Sequence, residues 1–148
     1  MKTSLFALVL LTGFWITGIA NQTPNSEEAA ARIPLENYLK GHATGDGEFI
    51  RKAFHKDARI TAFRDGKLVN WGVEEYTSRF NGKIADDEPK RKRSFKIIEI
   101  SGNTAIARIT LDYPTIKFID YMLLLKIDGE WKIINKSFYA EPKDQPKK

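Results

Sequence analysis

The chain has no cysteine, only two histidines and no Gly-rich phosphate-binding loop. Without cysteine there is no disulfide and no thiolate ligand, so an ordinary apolar core must stabilise the fold. Two histidines without carboxylates at ligand spacing argue against a metal triad, and we expect no cofactor. The absence of a phosphate loop and of a nucleophile elbow argues against nucleotide-binding proteins and α/β-hydrolases.

Long apolar runs are also scarce, and the one that exists lies at the N-terminus. Lys2 precedes the apolar stretch from Leu5 to Ile16, and Gly18-Ile19-Ala20 supplies the small residues that a signal peptidase requires. This pattern predicts a signal peptide over residues 1–20, cleaved after Ala20, and a periplasmic or secreted protein. An uncleaved anchor helix is the alternative, although the run is short for a bilayer span. After cleavage we expect no membrane span, and the missing cysteine excludes a bacterial lipoprotein.

Positive charge is in modest excess, with a formal net charge of +5. Much of the excess lies in the run Lys90-Arg91-Lys92-Arg93 and in Lys143, Lys147 and Lys148. Such a run can mark contact with nucleic acid or anionic lipid, but a solvated strand start and a ragged tail account for it as well. For an exported protein we favour the second interpretation and expect no nucleic-acid partner. A cysteine-free exported domain is typical of bacteria.

Three helices are predicted in the first part of the mature chain. The first spans residues 26–44 and is kinked or broken at Pro34. Asp46 caps a second, short helix that closes at Lys56-Asp57. A third helix spans residues 72–80 and ends at an Asn-Gly pair.

Strands dominate the rest of the chain. They are predicted over residues 58–63, 67–71, 91–101, 104–113, 117–127 and 130–140. Helices segregated from an antiparallel meander indicate an α+β fold, with three N-terminal helices packed on a curved, mainly antiparallel sheet. The domain covers residues 26–141, between a polar leader at 21–25 and a basic disordered tail at 142–148.

The segment from Phe118 to Phe138 carries the strongest local signal. Asp128-Gly129 between two apolar runs predicts a hairpin, because both residues tolerate positive φ. The residues that alternate along its first strand are Phe118, Met122 and Leu124 on one face and Tyr121, Leu123 and Leu125 on the other. Both faces are therefore apolar, while three helices can cover only one. We expect the other face to meet a second copy of the chain in a homodimer.

Three segments taken together resemble a known family. They are Tyr38-Leu-Lys-Gly-His-Ala-Thr-Gly-Asp46, Ala53-Phe-His-Lys-Asp-Ala58 and Asp120-Tyr-Met-Leu-Leu-Leu-Lys-Ile-Asp-Gly-Glu-Trp-Lys-Ile-Ile-Asn-Lys136. In this order they are similar to the Putative lumazine-binding proteins of the nuclear transport factor 2-like superfamily, over about residues 26–141. The resemblance implies an α+β cone: a curved sheet wrapped on a long helix, a pocket at the open end and commonly a dimer across the sheet. It implies no particular activity, and lumazine binding does not follow from it.

The same superfamily contains ketosteroid isomerase, in which a neutral carboxylic acid donates a hydrogen bond. The resemblance places its helix-borne tyrosine on Tyr38 and its protonated acid close to Asp120. Its catalytic base falls on Ala62, which carries no titratable group. The chain therefore keeps a candidate oxyanion-holding pair and lacks the base, which argues against isomerisation by that mechanism.

Tyr38 and His42 are four residues apart and share one face of the first predicted helix. An imidazole that faces a cavity acts as an acid, a base or a ligand donor. A core histidine bonded to a backbone carbonyl is the alternative, and we favour the pocket-lining position. His55, beside Asp57, is interpreted as a surface or capping histidine at the end of the second helix.

Asp120 interrupts an apolar strand, so it must be paired, neutral or beside a cavity. A raised pKa beside a pocket and a purely structural pair are both open, because structural ion pairs also perturb carboxylates. Its candidate partners are Arg108, Lys96 and the Tyr38 hydroxyl.

A wider set of side chains is expected to bind a ligand, with aromatic rings as flat walls for an aromatic or polyketide-like molecule. The predicted ligand-binding residues are Tyr38, His42, Trp71, Tyr76, Phe80, Asp120, Met122, Trp131 and Asn135, with Ser137 as a further polar group and Tyr139 as a further wall residue. The alternative is that the aromatic residues belong to the core, as such residues usually do. The candidates for catalysis are Tyr38, His42 and Asp120.

Three functions remain open from the sequence. We favour an exported, dimeric binding domain that holds a small, mostly apolar ligand in the pocket. The first alternative is an isomerase-, cyclase- or dehydratase-like enzyme in which His42 is acid or base and Tyr38 and Asp120 stabilise an enolate-like oxygen. The second is a protein-interaction scaffold with a vestigial pocket. An open pocket around His42 and Asp120 favours the first two, and a pocket filled by aromatic side chains leaves only the scaffold.

Overall fold

The computed structural model describes residues 26–143. The predicted signal peptide and polar leader lie outside the described residues, as does the part of the predicted tail at 144–148. Within residues 26–143, no helix combines the length and the apolar character that crossing a bilayer requires.

The elements follow the predicted order. They are α1 (Ser26–Thr44), α2 (Gly47–Ala53), β1 (Phe54–Arg64), β2 (Lys67–Gly72), α3 (Val73–Thr77), β3 (Lys92–Ser101), β4 (Thr104–Asp112), β5 (Ile116–Ile127) and β6 (Glu130–Pro142). A 3₁₀ turn, Glu88–Lys90, precedes β3. The helices lie on a single sheet, so the predicted α+β fold is confirmed.

The six strands form one curved sheet in the order β2-β1-β6-β5-β4-β3. Neighbouring strands are antiparallel, except that β1 runs parallel to β6. The hairpin of β5 and β6 lies at the centre of the sheet, and its turn has positive φ at Asp128 (50°) and Gly129 (86°). The predicted tight turn is therefore confirmed.

The two faces of β5 differ in exposure as the alternation predicts. Met122 and Leu124 face the helices and are 1% and 0% exposed, whereas Tyr121 and Leu123 are 50% and 38% exposed. The outer face of the sheet thus presents apolar side chains to solvent. The homodimer stays a prediction.

A bulge in β6 decides which polar side chain faces the helices. The pairing of β6 with β5 shifts between Ile133 and Asn135, which leaves Ile134 as an extra residue. Ile133 is buried before the bulge and Lys136 is buried after it. Because strand alternation has a period of two, the extra residue brings Lys136 to the inner face and turns Asn135 and Ser137 outward.

α1 is a continuous helix of 19 residues with Pro34 inside it. It buries Leu35 and Tyr38 against the sheet. It ends before Gly45, whose φ is +71° and whose Cβ, if present, would lie 2.1 Å from the carbonyl oxygen of Lys83. Only glycine therefore allows the loop after α3 to pack on this end of α1.

The second helix is shorter than predicted. α2 ends at Ala53 instead of Lys56-Asp57, because Phe54 already belongs to β1 and pairs with Ile133 of β6. His55 consequently lies on a strand, so its predicted place at the end of the second helix is wrong, although its side chain is 32% exposed. Its ring accepts a hydrogen bond from the backbone N–H of Asp57, with Nδ1 and N 3.3 Å apart.

Two further boundaries differ from the prediction. α3 stops at Thr77, and turns continue the chain to Phe80. β6 continues to Pro142, and the backbone N–H of Lys143 donates to the carbonyl oxygen of Thr115 at 3.0 Å. The Lys143 ammonium also contacts Asp112. These contacts extend the ordered sheet into the start of the predicted tail.

Candidate functional site

A fully buried ion pair lies where α1 crosses the central hairpin. The Oδ2 atom of Asp120 accepts a hydrogen bond from the Tyr38 hydroxyl at 2.7 Å and lies 3.1 Å from the Nζ atom of Lys136. Lys136 also donates to the Tyr38 hydroxyl at 2.6 Å. The side chains of Lys136 and Asp120 are 4% and 0% exposed. The three groups are therefore partners of one another in the core, whereas the other carboxylate oxygen of Asp120, Oδ1, is buried without a hydrogen-bond partner among the described residues.

Two of the predicted partners of Asp120 are wrong. Arg108 stands opposite Tyr121 in the sheet, and Lys96 stands opposite Arg108, so both lie on the outer face and are exposed. The third predicted partner, the Tyr38 hydroxyl, is correct. The missing cation was Lys136, which the β6 bulge carries to the inner face.

Tyr76 connects this ion pair to His42. The Tyr76 hydroxyl lies 3.1 Å from the Tyr38 hydroxyl and accepts a hydrogen bond from Lys136 at 3.2 Å. The Nε2 atom of His42 is 3.1 Å from the same hydroxyl, and its Nδ1 atom is 3.3 Å from the hydroxyl of Tyr113. A continuous set of hydrogen bonds thus runs from Asp120 to Nε2 of the imidazole, and Nδ1 extends it to Tyr113.

Arg93, whose side chain is only 8% exposed, extends the network to Glu88. Its Nε atom donates to the Tyr113 hydroxyl at 3.3 Å, and an Nη atom donates to the backbone carbonyl of His42 at 3.0 Å. The same guanidinium pairs with Glu88 at 2.7 Å. Arg93 thus fixes His42 in two ways: directly at its backbone carbonyl, and at Nδ1 through the hydroxyl of Tyr113.

The environment determines which groups carry a proton. Burial raises the pKa of Tyr38 well above its usual value, and the charge of Asp120 raises it further, so Tyr38 stays a phenol. Burial alone would lower the pKa of Lys136, but Tyr76 and Asp120 outweigh it, so the pKa rises and Lys136 stays an ammonium. Burial, followed by the charges of Lys136, Arg93 and Arg91, lowers the pKa of His42 well below its usual value. The site thus presents cationic and phenolic donors beside a neutral imidazole.

An open pocket of about 330 Å³ adjoins this network. Its lining residues are His42, Gly45, Arg64, Trp71, Tyr76, Arg79, Phe80, Asn81, Lys83, Ala85, Arg91, Leu111, Phe118, Lys136 and Phe138. Tyr76, His42 and Lys136 belong both to the hydrogen-bond network and to the pocket wall. In the described part of the chain, no group of three or more His, Asp or Glu side chains is placed to hold a metal ion.

Aromatic rings form a flat side of the pocket. Trp71 stacks on Tyr76 with ring centroids 6.4 Å apart and planes 11° from parallel, and on Phe138 at 6.0 Å and 28°. The guanidinium carbon of Arg79 lies 3.9 Å from the centroid of Trp71 on the ring face. His42 meets the ring of Phe80 edge-on at 5.1 Å. This wall suits a planar ligand.

The structure brings some of the predicted ligand-binding residues together and separates others. His42, Trp71, Tyr76 and Phe80 line the pocket. Tyr38 and Asp120 lie behind its wall and reach it through Lys136 and Tyr76. The residues that do not line this pocket are Met122, Trp131 and Asn135, together with Ser137 and Tyr139.

The structure explains why these predicted ligand-binding residues do not line the pocket. Met122 is buried in the core, and the indole of Trp131 donates to Glu27 at 3.2 Å near the start of α1. The β6 bulge turns Asn135 outward, and Tyr139 is 64% exposed on the outer face. The break in alternation at two successive isoleucines was the sequence signal for this bulge, and hence for Lys136.

The buried pair predicts strong coupling between its members. Lys136→Met leaves the Asp120 charge in the core without a cation, so we expect the free energy of unfolding to fall by about 3–5 kcal/mol. Adding Asp120→Asn removes that charge, and the double variant should lose less than the sum of the single losses. Urea unfolding of all four proteins measures the coupling. Exposed Lys96→Met is the control and should change little, and additive losses would contradict the prediction.

The lowered pKa of His42 predicts a specific dependence of stability on pH. Below its ordinary pKa of about 6.5 the unfolded chain binds a proton at this residue that the folded chain excludes. The contribution of neutral His42 to the free energy of unfolding is therefore complete above about pH 6.5. It is lost as the pH falls from there toward the pKa of His42 in the folded protein. We expect His42→Gln to flatten the loss of Tm between about pH 7 and pH 5.5. His55→Gln is the matched control, and an unchanged slope in His42→Gln would refute the assignment.

Comparisons with known proteins agree with this architecture. The sequence profile of the family described as Putative lumazine-binding matches residues 26–139. An NTF2-like protein of unknown function from Shewanella baltica is 27% identical, with a TM-score of 0.73 over 83% of this chain and 100% of that one. A second from Methylobacillus flagellatus is 29% identical, with a TM-score of 0.64 over 81% and 96%.

A curated relative adds a protein of assigned activity. The aldolase FrzH of Cladobotryum sp is 24% identical over 130 residues, which cover 84% of this chain and 100% of that protein. The family match spans most of the chain, and it covers all the residues of the buried network. The resemblance drawn from the sequence is thereby confirmed, and the protein belongs to the Putative lumazine-binding family, with an NTF2-like fold.

Proposed function

We propose that this protein is an exported domain that binds a small molecule with a flat, largely apolar body. The observation that supports this proposal most directly is the open pocket. Its wall combines stacked aromatic rings with Lys136 and Tyr76, which belong to the buried polar network. Its volume of about 330 Å³ lies within the usual range for ligand sites. A pocket filled by Trp and Phe side chains would have favoured the scaffold alternative.

The buried network supports binding more strongly than it supports a purely structural role. A buried Lys–Asp pair contributes little to stability compared with apolar residues of similar volume, because both ions lose their hydration. Here the pair also orients Lys136 and Tyr76, which both line the pocket. We infer that these two donors receive an oxygen of the ligand while its ring system lies against Trp71.

Export and dimerisation belong to the same proposal. Residues 1–20 have the pattern of a signal peptide. The outer sheet face exposes large apolar side chains, including Phe63 (74%), Tyr121 (50%) and Tyr139 (64%). Contiguous exposed apolar surface of this kind usually meets another protein surface, and a second copy presents the same complementary face.

Native mass spectrometry of protein isolated from its own cell envelope tests ligand binding, dimerisation and export together. We expect a dimer mass, a co-purifying small molecule and a mature chain that begins at Asn21. Trp71→Ala should lose the small molecule and keep the dimer, whereas Tyr121→Glu should do the reverse. Failure to find any small molecule in either the native or the Tyr121→Glu protein would contradict ligand binding.

An enzymatic function is the second candidate, and the neutral imidazole of His42 beside cationic and phenolic donors favours it. Aldol chemistry, for which the relative FrzH is named, begins with removal of a proton from the carbon next to a carbonyl. In this pocket His42 would take that proton through Tyr76, while Lys136 would hold the enolate oxygen. Because Lys136 is an ammonium paired with Asp120, it is suited to this charge stabilisation and not to imine formation.

Proton exchange on a simple enolisable ketone separates the two functions. If the enzyme hypothesis holds, the protein accelerates α-proton exchange of 2-tetralone in deuterated buffer, followed by NMR. His42→Gln should then reduce the rate by about 10²-fold or more, with unchanged affinity for the ketone. His55→Gln serves as the control. Bound 2-tetralone without faster exchange would reject the enzyme and leave the binding domain.

A further inference from the structure

The pocket wall has charge of one sign only. The cationic side chains that line it are Arg64, Arg79, Lys83, Arg91 and Lys136. Among residues 26–143, no aspartate or glutamate belongs to the lining. A concave wall of this kind concentrates a positive potential and attracts anions.

Three of these cations already have carboxylate partners outside the pocket lining. Lys136 lies 3.1 Å from Asp120. The Nε atom of Arg91 lies 2.7 Å from Asp87, and an Nη atom of Arg79 lies 3.6 Å from Glu75. Their positive charge is therefore partly or fully balanced, and it cannot account for a net attraction by itself.

Arg64 and Lys83 are the two unbalanced cations. In the part of the chain that the structure describes, neither has a carboxylate within 4 Å or a side-chain hydrogen bond. Arg64 ends β1, and Lys83 follows the turn after α3, so different segments bring them to one pocket. Both side chains are exposed, so their unbalanced positive charges lie at the solvent-facing end of the pocket. We call this end, at Arg64 and Lys83, the mouth of the pocket.

The backbone at Lys83 is held in place. Its N–H donates to the side-chain carbonyl of Asn81 at 3.0 Å, and the neighbouring Gly82 N–H donates to the carbonyl of Gly45 at 2.8 Å. The tight approach of Gly45 to the Lys83 carbonyl fixes the same loop against α1. Packed backbone therefore holds Lys83 in position at the pocket, which lowers the cost of ordering the loop when an anion binds.

The aromatic wall lies between the mouth and the buried donors. Trp71 stacks on Tyr76 and on Phe138, and the Arg79 guanidinium lies over its ring. A planar ring system placed along this wall would carry one substituent to the mouth and another toward Lys136 and Tyr76.

We propose that the ligand is an aromatic carboxylate, with its ring on the Trp71 wall and its carboxylate between Arg64 and Lys83. This inference rests on the proposed ligand-binding function and deepens it, because it adds a carboxylate to the flat, largely apolar body of the ligand. Burial and then the charges of Lys136, Arg93 and Arg91 lower the pKa of His42, which lines the same pocket. Binding an anion should partly reverse that lowering.

Matched naphthalene derivatives test the charge of the ligand directly. The probes are 2-naphthoate, its neutral isostere 2-naphthamide and the cation 2-naphthylmethylammonium, titrated into the full mature protein by calorimetry. At low ionic strength we expect 2-naphthoate to bind about tenfold or more tightly than the amide, and the cation to bind most weakly. Raising the ionic strength to about 1 M, where the Debye length is about 3 Å, should remove most of this advantage.

Charge-removing variants locate the effect. Arg64→Gln combined with Lys83→Gln should reduce the preference for naphthoate over naphthamide to about threefold or less. Lys96→Gln removes one exposed charge outside the pocket and should preserve the preference. By NMR, naphthoate should shift the titration of His42 to higher pH, and naphthamide should not.

The outcomes separate this inference from the function on which it rests. Equal binding of naphthoate and naphthamide would reject the anionic ligand and leave the binding pocket intact. If the Arg64→Gln, Lys83→Gln variant still prefers naphthoate over naphthamide, the carboxylate does not bind between Arg64 and Lys83. No binding of any probe, together with no co-purifying molecule, would reject both proposals.

Discussion

The contact between Lys136 and Asp120 is the constraint on which the rest of the site depends. These residues lie on the two strands of the central hairpin, and Tyr38 joins them from α1, so one buried cluster ties the helix to the sheet. Charges in a core are tolerated only when their partners are placed with good geometry. The position of α1 on the sheet is therefore coupled to that of Tyr76, and through Tyr76 to His42.

The charge of the pocket is arranged in two layers. Inside, the ammonium of Lys136 is balanced by Asp120, so the deepest part of the wall offers directed donors with little net charge. At the mouth, Arg64 and Lys83 have no such balance within the described residues and provide the net positive potential. Orientation and attraction of a ligand would thus come from different side chains, which is common where a few polar groups specify a mostly apolar site.

Local patterns were sufficient for most of the fold. The Asp128-Gly129 turn, the α+β order and the alternation on β5 followed from backbone preferences and from the period of two in strands. The same patterns marked Asp120 as exceptional, because a carboxylate between apolar residues requires a partner. They failed at the end of α2, where pairing of Phe54 with β6 overrode helical continuation. A contact between segments so distant in sequence has no local signature.

The amino-acid sequence by itself determined the class of fold, the central hairpin and the need for a partner at Asp120, since these depend on neighbouring residues. Tertiary structure decided which cation meets that need. One extra residue in β6 inverts the strand alternation, so Lys136 points to Asp120 and Asn135 points away. Tertiary structure also decided that Arg64 and Lys83 share one pocket mouth. Charges from separate segments can be assigned to a common site only after the chain has folded.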